Sequence, residues 1–375
     1  LKLMRIAIFD RWDSGIFPGG DTVQINAIAS FLAEKGFYVK IFNSYKVNLN
    51  EFDVVFIFNL TRPFEAYIQA KECLKQEKPY ILFPVYWDLD SLKMPDEIFS
   101  PVQFIPNSVK SRLRPLVFWK NNRVMLQNYD ISFTEINSVE KAIRYILNHA
   151  KYICPNSYAE MEHLIERFGV HEIKDKNVVL LNGIDTRKIV HSSKHDMDIG
   201  ISLPDHYLCS VGGIGPRKNQ LNLVRAAKMV DIPLVIIGRA SKDCEKYAEK
   251  VFKTAGNNVT FIDHLQQETV FQIMKKSKGH MQTSFIETPG LASIEALALG
   301  RPIGVSDVAP VREYFEELAI YCNPHEPQSI ATSMEKLFYT EHEADVDVIL
   351  DRFDWHIVLD KLISLLSSME GKLVL

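Results

Sequence analysis

Ser284-Phe285-Ile286-Glu287-Thr288-Pro289-Gly290-Leu291-Ala292-Ser293-Ile294-Glu295-Ala296-Leu297-Ala298-Leu299-Gly300-Arg301-Pro302 reads as a loop, a helix and the approach to a strand. Pro289 and Gly290 suit a helix start, Leu291 to Leu299 give an apolar body, and Gly300 closes it before Pro302 leads into a buried run. A helix that opens here presents unpaired amide hydrogens and the positive end of its dipole, so a diphosphate can dock on Gly290 and Leu291. Glu287 lies in the loop ahead of the helix and Glu295 within it. Two carboxylates flanking that point can accept hydrogen bonds from sugar and ribose hydroxyls. By themselves, two Glu residues at this spacing read first as a solvated loop residue and a helix-surface residue that bind nothing.

Outward from this stretch, short β-branched or aromatic runs alternate with segments of helical period, the pattern of β-α-β units around parallel sheets. The first series of predicted strands is Arg5 to Phe9, Tyr38 to Phe42, Val54 to Phe58, Tyr80 to Val85 and Tyr152 to Cys154. A second series begins afresh with Tyr207 to Val211, Leu234 to Ile237, Val259 to Ile262, Ile303 to Val305 and Ala319 to Tyr321. Their continuous apolar character suits strands covered by helices on both faces. Two series imply two sheets, and 375 residues suit two domains. Val23, Ala27, Ile28, Phe31 and Leu32 recur at helical spacing, with Gly36 placed to end their helix. The polar stretch Thr186 to Asp205 belongs to neither series, and the hinge lies there or a little earlier, near Gly169 to Asn177. The expected domains are therefore residues 1–175 and 176–350, followed by a terminal segment, 351–375. Within it, Trp355 to Met369 carries Ile357, Leu359, Leu362, Leu365 and Leu366 at amphipathic spacing.

Composition narrows the function classes. A formal net charge of -4 speaks against nucleic acid as a bulk partner, because phosphate-backbone binding runs on an excess of Lys and Arg. The five cysteines (Cys73, Cys154, Cys209, Cys244, Cys322) form no CxxC pair and no framework spacing, which fits buried thiols in a reducing compartment. Nothing approaches the length of a membrane span, and Leu1 to Asp10 reads as one strand-length run rather than a signal peptide. The expectation is a cytoplasmic protein, at most peripheral to a membrane.

A second glycine-rich turn, Ser210-Val211-Gly212-Gly213-Ile214-Gly215-Pro216-Arg217-Lys218-Asn219-Gln220, joins a strand to a helix. Glycines let the backbone approach a ligand closely, and Lys218 with Arg217 can neutralise a leaving diphosphate. A dinucleotide fingerprint fails here because Lys218 stands where the third glycine belongs. In the first domain, Phe17-Pro18-Gly19-Gly20-Asp21 follows the first strand and opens its helix; a plain tight turn is the simpler reading of that pair. Residues 107–127 carry Lys110, Arg112, Arg114, Lys120 and Arg123 with no acidic residue, interleaved with Leu113, Leu116, Val117, Phe118 and Trp119. Such a segment suits peripheral contact with the anionic inner membrane leaflet or a lipid-diphosphate acceptor. The alternative is a helix with its apolar side on the core and its cations in water. The triplet Asp88 and Asp90 is repeated by Asp196 and Asp198 and by Asp345 and Asp347 in unrelated contexts, and the eleven histidines show no ligand spacing, so no metal is assigned.

The run Ser284 to Pro302 resembles the E-x7-E signature of the family 4 glycosyltransferases (glycosyl transferases group 1), and its tail from Glu295 to Pro302 resembles it nearly residue for residue. Pro155-Asn156-Ser157, Asn182-Gly183-Ile184-Asp185, Gly238 and Phe353-Asp354-Trp355 extend the resemblance over nearly the whole chain, most densely from Tyr152 to Pro324. It implies a GT-B fold: α/β, with two Rossmann-like doubly wound domains facing a central cleft, the first binding acceptor, the second the nucleotide sugar, and a C-terminal helix crossing back to the first. By resemblance, Lys218 serves the donor phosphates; Gly213 occupies the usual Arg position, leaving Arg217 as the neighbouring cation. Gly19 and Gly20 are similar to the family's Gly-Gly loop over donor phosphates and acceptor. Glu287 would orient sugar hydroxyls, Glu295 hold the ribose, and backbone near Asp263 to Leu265 meet the base. Where many members carry a His-Asp pair beside the reacting centre, this chain has Trp87 and Asp88.

The implied function is a retaining glycosyltransferase moving a sugar from a nucleotide diphosphate sugar to a hydroxyl of a glycan, glycolipid or lipid-linked acceptor in polysaccharide or glycoconjugate biosynthesis. It would need no cofactor and no metal. The departures at Trp87 and Gly213 keep a second class in view, a non-catalytic GT-B homologue acting as a sugar-nucleotide-binding or scaffold subunit.

Overall fold

The computed structural model describes residues 4–15, 20–44, 46–87, 107–128, 132, 134, 135, 137–194, 200–241, 244–288, 290–341 and 343–373. Among these, residues up to Leu181 together with those from Val358 onward form one compact unit, and Asn182–Ile357 form another. Each unit is a parallel sheet with flanking helices.

In the first unit, β1 (Arg5–Phe9), β2 (Tyr38–Phe42), β3 (Val54–Phe58), β4 (Tyr80–Phe83) and β5 (Tyr152–Ile153) lie in the order β2-β1-β3-β4-β5. Val54–Phe58 is buried at every position, as a central strand covered on both faces must be. Phe52, Tyr80, Ile143, Leu164 and Phe168 belong to the core around it. The helix Gly20–Glu34 buries Ile25, Ile28, Phe31 and Leu32. Val23, expected inside, is exposed because the inward stripe begins instead with Asp21 and Gln24. Gly36 ends the helix in the left-handed region, at φ 91.

The second unit holds β6 (Leu208–Val211), β7 (Leu234–Ile237), β8 (Val259–Ile262), β9 (Gly279–Gln282), β10 (Ile303–Ser306) and β11 (Ala319–Cys322), in the order β11-β10-β9-β6-β7-β8. β9 escaped the sequence reading. Its residues, Gly-His-Met-Gln, lack β-branched or aromatic character, yet all four are buried. Close packing selects them: a Cβ on Gly279 would lie 2.8 Å from Leu337, and one on Gly304 of β10 would lie 2.4 Å from Met281. The stretch from Thr186, expected to be irregular, begins with a helix, Thr186–Lys194, which buries Ile189. A helix Val346–Phe353 runs into the terminal segment, which continues as the helices Trp355–Val358 and Asp360–Leu373.

Each sheet reverses its direction of progress once. The first runs from β1 outward to β2 and then back through β3; the second runs from β6 through β8 and then back through β9. At such a point the connections leave the carboxyl ends of adjacent strands in opposite directions and open a crevice. In the second unit that crevice lies at the ends of β6 and β9, which pair through Leu208–Gly279 and Cys209–His280.

The helix Asn107–Asn128 contains Pro115 and departs from helical geometry at Asn122. Leu126 is fully buried, and Phe118 and Trp119 pack partly against the first core. Val109, Leu113, Leu116 and Val117 are exposed, as are Arg112, Arg114 and Lys120. The expected separation of apolar core side from cationic water side is therefore only partial. Among the described residues no helix is long and apolar enough to cross a membrane.

Candidate functional site

The loop after β6 is built by two glycines and two amides. Gly212 and Gly238 follow β6 and β7 with φ 147 and φ 149, and a Cβ on Gly238 would lie 2.1 Å from the Gly212 carbonyl oxygen. Only hydrogen fits where these two backbones meet. The chain then turns through Pro216–Lys218 into Asn219, which is left-handed at φ 59. The Asn219 Nδ2 donates to the carbonyls of Thr283 (2.9 Å) and Pro324 (2.7 Å). Gln220 accepts from the Gly215 amide at 3.2 Å and donates to the Gly213 carbonyl at 3.0 Å. Phe285 N donates to the Arg217 carbonyl at 2.9 Å. The loop is thereby tied to the segment after β9, which carries Arg217 and Lys218 to Glu287.

Glu287 is buried and heavily solicited. Its Oε2 accepts from Lys218 Nζ (2.6 Å), Gln282 Nε2 (2.5 Å) and Ser284 Oγ (2.8 Å). Its Oε1 accepts from the Thr288 amide at 3.3 Å and lies 3.7 Å from Arg217 Nη1. Arg217 also donates to the Ile286 carbonyl at 3.1 Å. Burial works to raise the Glu287 pKa, but the charges of Lys218 and Arg217 and the hydrogen bonds from Lys218 and Ser284 outweigh it and bring it to about 2. Gly290, at φ 99, caps the helix Leu291–Ala298. Leu291 and Ala292 open its first turn half-buried, where amide hydrogens have no partner within the helix. A compact group of cations, one carboxylate and a helix opening can stabilise a phosphate anion while orienting a hydroxyl-bearing neighbour.

The remaining expected donor residues sit further along the same edge. Glu295 is half-buried, and Gln267 Nε2 donates to it at 3.1 Å. Desolvation pushes its pKa up to about 7, against the pull of that hydrogen bond. Asp263 and Leu265 follow β8, two strands from β6 and so about 10 Å away. Asp263 makes an exposed two-point pair with Arg239, at 2.9 and 3.0 Å, whose hydrogen bonds hold the carboxyl at about 2. Neither Glu295 nor Asp263 joins the hydrogen bonds around Glu287.

In the first unit, Gly20 opens its helix, while Gly19 and Asp88 lie outside the described residues. The carboxyl ends of β1 and β3 are occupied by charge pairs. Asp21 takes Arg11 Nε and Asn59 Nδ2, each at 2.7 Å, and Asp13 takes Arg62 on both oxygens at 2.9 Å. Trp87, half-buried after β4, stacks on His163 at 5.2 Å with the rings 20° apart. Sequence reasoning missed Gln282, His280, Ser293 and Asn219. Their roles depend on which strand lies beside which, and only the buried run after Lys278 could have hinted at a strand carrying them.

Residues 193–347, which contain Lys218, Glu287 and Glu295, match the family model described as Glycosyl transferases group 1. An uncharacterized glycosyltransferase of Methanocaldococcus jannaschii is 26% identical over 203 residues, 48% of this chain and 51% of that protein. The O-antigen chain mannosyltransferase of Salmonella typhimurium is 21% identical over 276 residues, 62% of this chain and 75% of that protein. The chain thus spans about half the length of the archaeal relative and three quarters of the Salmonella one. The crystal structure of Anabaena HepE in complex with UDP-glucose superposes with a TM-score of 0.68 at 17% identity, covering 97% of this chain and 100% of that one. Two parallel doubly wound sheets and the matched second unit lead to one assignment: the chain carries a domain of the Glycosyl transferases group 1 family on a GT-B fold.

Proposed function

We propose that this protein transfers a sugar from a nucleoside diphosphate sugar to a hydroxyl of a glycan, glycolipid or lipid-linked acceptor, with retention at the anomeric carbon, in polysaccharide or glycoconjugate biosynthesis. The observation that carries the proposal is the meeting of Lys218 and Glu287 at the strand ends flanking the second sheet's reversal, on the loop that leads into the helix at Gly290. The Salmonella relative's name and the UDP-glucose held by the Anabaena structure support a nucleotide-sugar donor and a glycan product.

In this reading the bond between the anomeric carbon and the diphosphate oxygen breaks as a bond to the acceptor oxygen forms. The departing phosphate takes the acceptor's proton. Charge growing on the diphosphate is met by Lys218, Arg217 and the amides of Gly290 and Leu291, fixed dipoles that need no reorganisation. Lys218 exchanges its hold on Glu287 for the phosphate, and Glu287 accepts from the sugar hydroxyls. Glu295 holds the ribose, and backbone at Asp263 to Leu265 meets the base. Trp87 and Asp88, on the first unit, serve the acceptor. Charge stabilisation here comes from side chains and amides alone, so chelation by EDTA should leave transfer unchanged.

A thermal-shift panel of UDP-, GDP-, ADP- and dTDP-sugars, followed by a transfer assay with the stabilising one, tests the proposal. At least one donor should raise the melting temperature and be consumed. Binding with neither transfer nor donor hydrolysis would favour the scaffold reading, and no shift with any donor would contradict nucleotide-sugar binding.

A further inference from the structure

One chain of hydrogen bonds behind Glu287 runs in a single direction. Val211 N, at the end of β6, donates to His280 Nε2 at 3.3 Å. An imidazole that accepts at Nε2 and stays neutral carries its hydrogen on Nδ1, which lies 3.3 Å from Ser293 Oγ. Ser293 then donates to Gln282 Oε1 at 2.8 Å, and Gln282 Nε2 donates to Glu287 Oε2 at 2.5 Å. His280 and Ser293 are fully buried and Gln282 nearly so, so none can turn to water instead. Burial, with the Lys218 charge adding to it, brings the His280 pKa to about 3 and keeps the ring neutral. Every donor in the series points toward Glu287, and this order fixes the Gln282 amide: its oxygen must face Ser293 and its nitrogen must face the carboxylate. The space is reserved as well, since a Cβ on Gly290 would lie 2.6 Å from Gln282 Oε1.

We propose that Gln282 is a positioning residue for the transferred sugar: together with Ser284 it retains Oε2 of Glu287 when Lys218 turns to the diphosphate, so that Oε1 faces the sugar hydroxyls. The inference rests on the nucleotide-sugar reading above and adds to it which residue aims the carboxylate. It separates two parts of donor binding. The nucleoside diphosphate depends on Lys218 and the helix opening, whereas the sugar depends on Glu287 being held at the right angle.

The test compares binding of a nucleoside diphosphate with that of its sugar conjugate, by calorimetry on the full chain, in the parent and in Gln282→Met and Ser284→Ala. Methionine keeps the length of the side chain and loses the donor. Both variants should bind the diphosphate within about threefold of the parent. Each should bind the sugar conjugate about 10- to 100-fold more weakly, the scale for loss of a hydrogen bond to a charged group, and turn it over more slowly. Gln282→Glu, which sets a carboxylate against Glu287, should in addition move the acid limb of the pH-rate profile toward neutrality. Unchanged affinity for the sugar conjugate in both variants overturns the inference, as does an equal loss for diphosphate and conjugate. A parent protein that binds none of UDP, GDP, ADP or dTDP overturns the donor reading itself, a different result from either.

Discussion

At the scale of single residues, two glutamates of one stretch are shifted in opposite directions, Glu287 in the loop below the ordinary carboxylate value and Glu295 in the helix above it. Lys218→Ala should lower turnover about 100-fold in a transfer assay, as removal of one fixed electrostatic stabiliser does. Glu287 is held at about 2 against an ordinary 4.5, so its contribution to stability is complete above pH 4.5 and is lost as pH falls toward 2. Glu295 is held at about 7, so ionising it costs stability as pH rises from 4.5 through 7. Glu295→Gln should therefore melt a few degrees higher than the parent at pH 8 and equal to it below about pH 4.5, in melts run across that range. Glu287, Glu295 and Lys218 were singled out because they fall in glycine-marked stretches that resemble the family signature; the structure joins Lys218 to Glu287 and leaves Glu295 with Gln267. Gln282, Ser293 and His280 were not, because their chemistry arises from β9 lying beside β6, a pairing between segments some seventy residues apart.

At the scale of elements, the loop that carries Lys218 begins where the backbones after β6 and β7 approach too closely for side chains. Gly238→Ala would drive a methyl into the Gly212 carbonyl at a φ of 149, with backbone on both sides of the conflict. We expect a loss of more than about 3 kcal/mol in urea unfolding, along with nucleotide binding. In the first unit the turn after β4 places Val85 at φ 45, a left-handed conformation that β-branched residues resist. Glu160, fully buried, holds the following residues: its carboxylate accepts from Tyr86 N and Asn156 N, each at 2.6 Å. Glu160→Ala leaves two buried amides without that acceptor and should cost about 2–5 kcal/mol by the same measurement. Ten strands were readable as continuous β-branched or aromatic runs. β9 was unreadable because it gives up β-propensity for small and polar residues that pack against Leu337 and carry the site, a local conflict characteristic of functional positions.

At the scale of the whole molecule, two parallel sheets were foreseeable from two series of strands, whereas the order of strands, and with it the position of each reversal, was not, because helix-linked parallel strands leave no mark of their neighbours in the sequence. The helix Asn107–Asn128 offers exposed Val109, Leu113, Leu116 and Val117 with Arg112, Arg114 and Lys120 and supports the proposed contact with an anionic leaflet. Vesicles containing phosphatidylglycerol should retain the protein at low salt and release it at high salt, and equal retention by neutral vesicles would contradict that contact. The proposed donor site seats the diphosphate on the second unit, where β6 and β9 end. The direct measurement is a crystal structure with the nucleotide sugar that stabilises the protein most. It should show the diphosphate within hydrogen-bonding distance of Lys218 Nζ and of the Gly290 and Leu291 amides, with Lys218 withdrawn from Glu287. A diphosphate bound elsewhere, with the Lys218–Glu287 pair intact, would contradict the account.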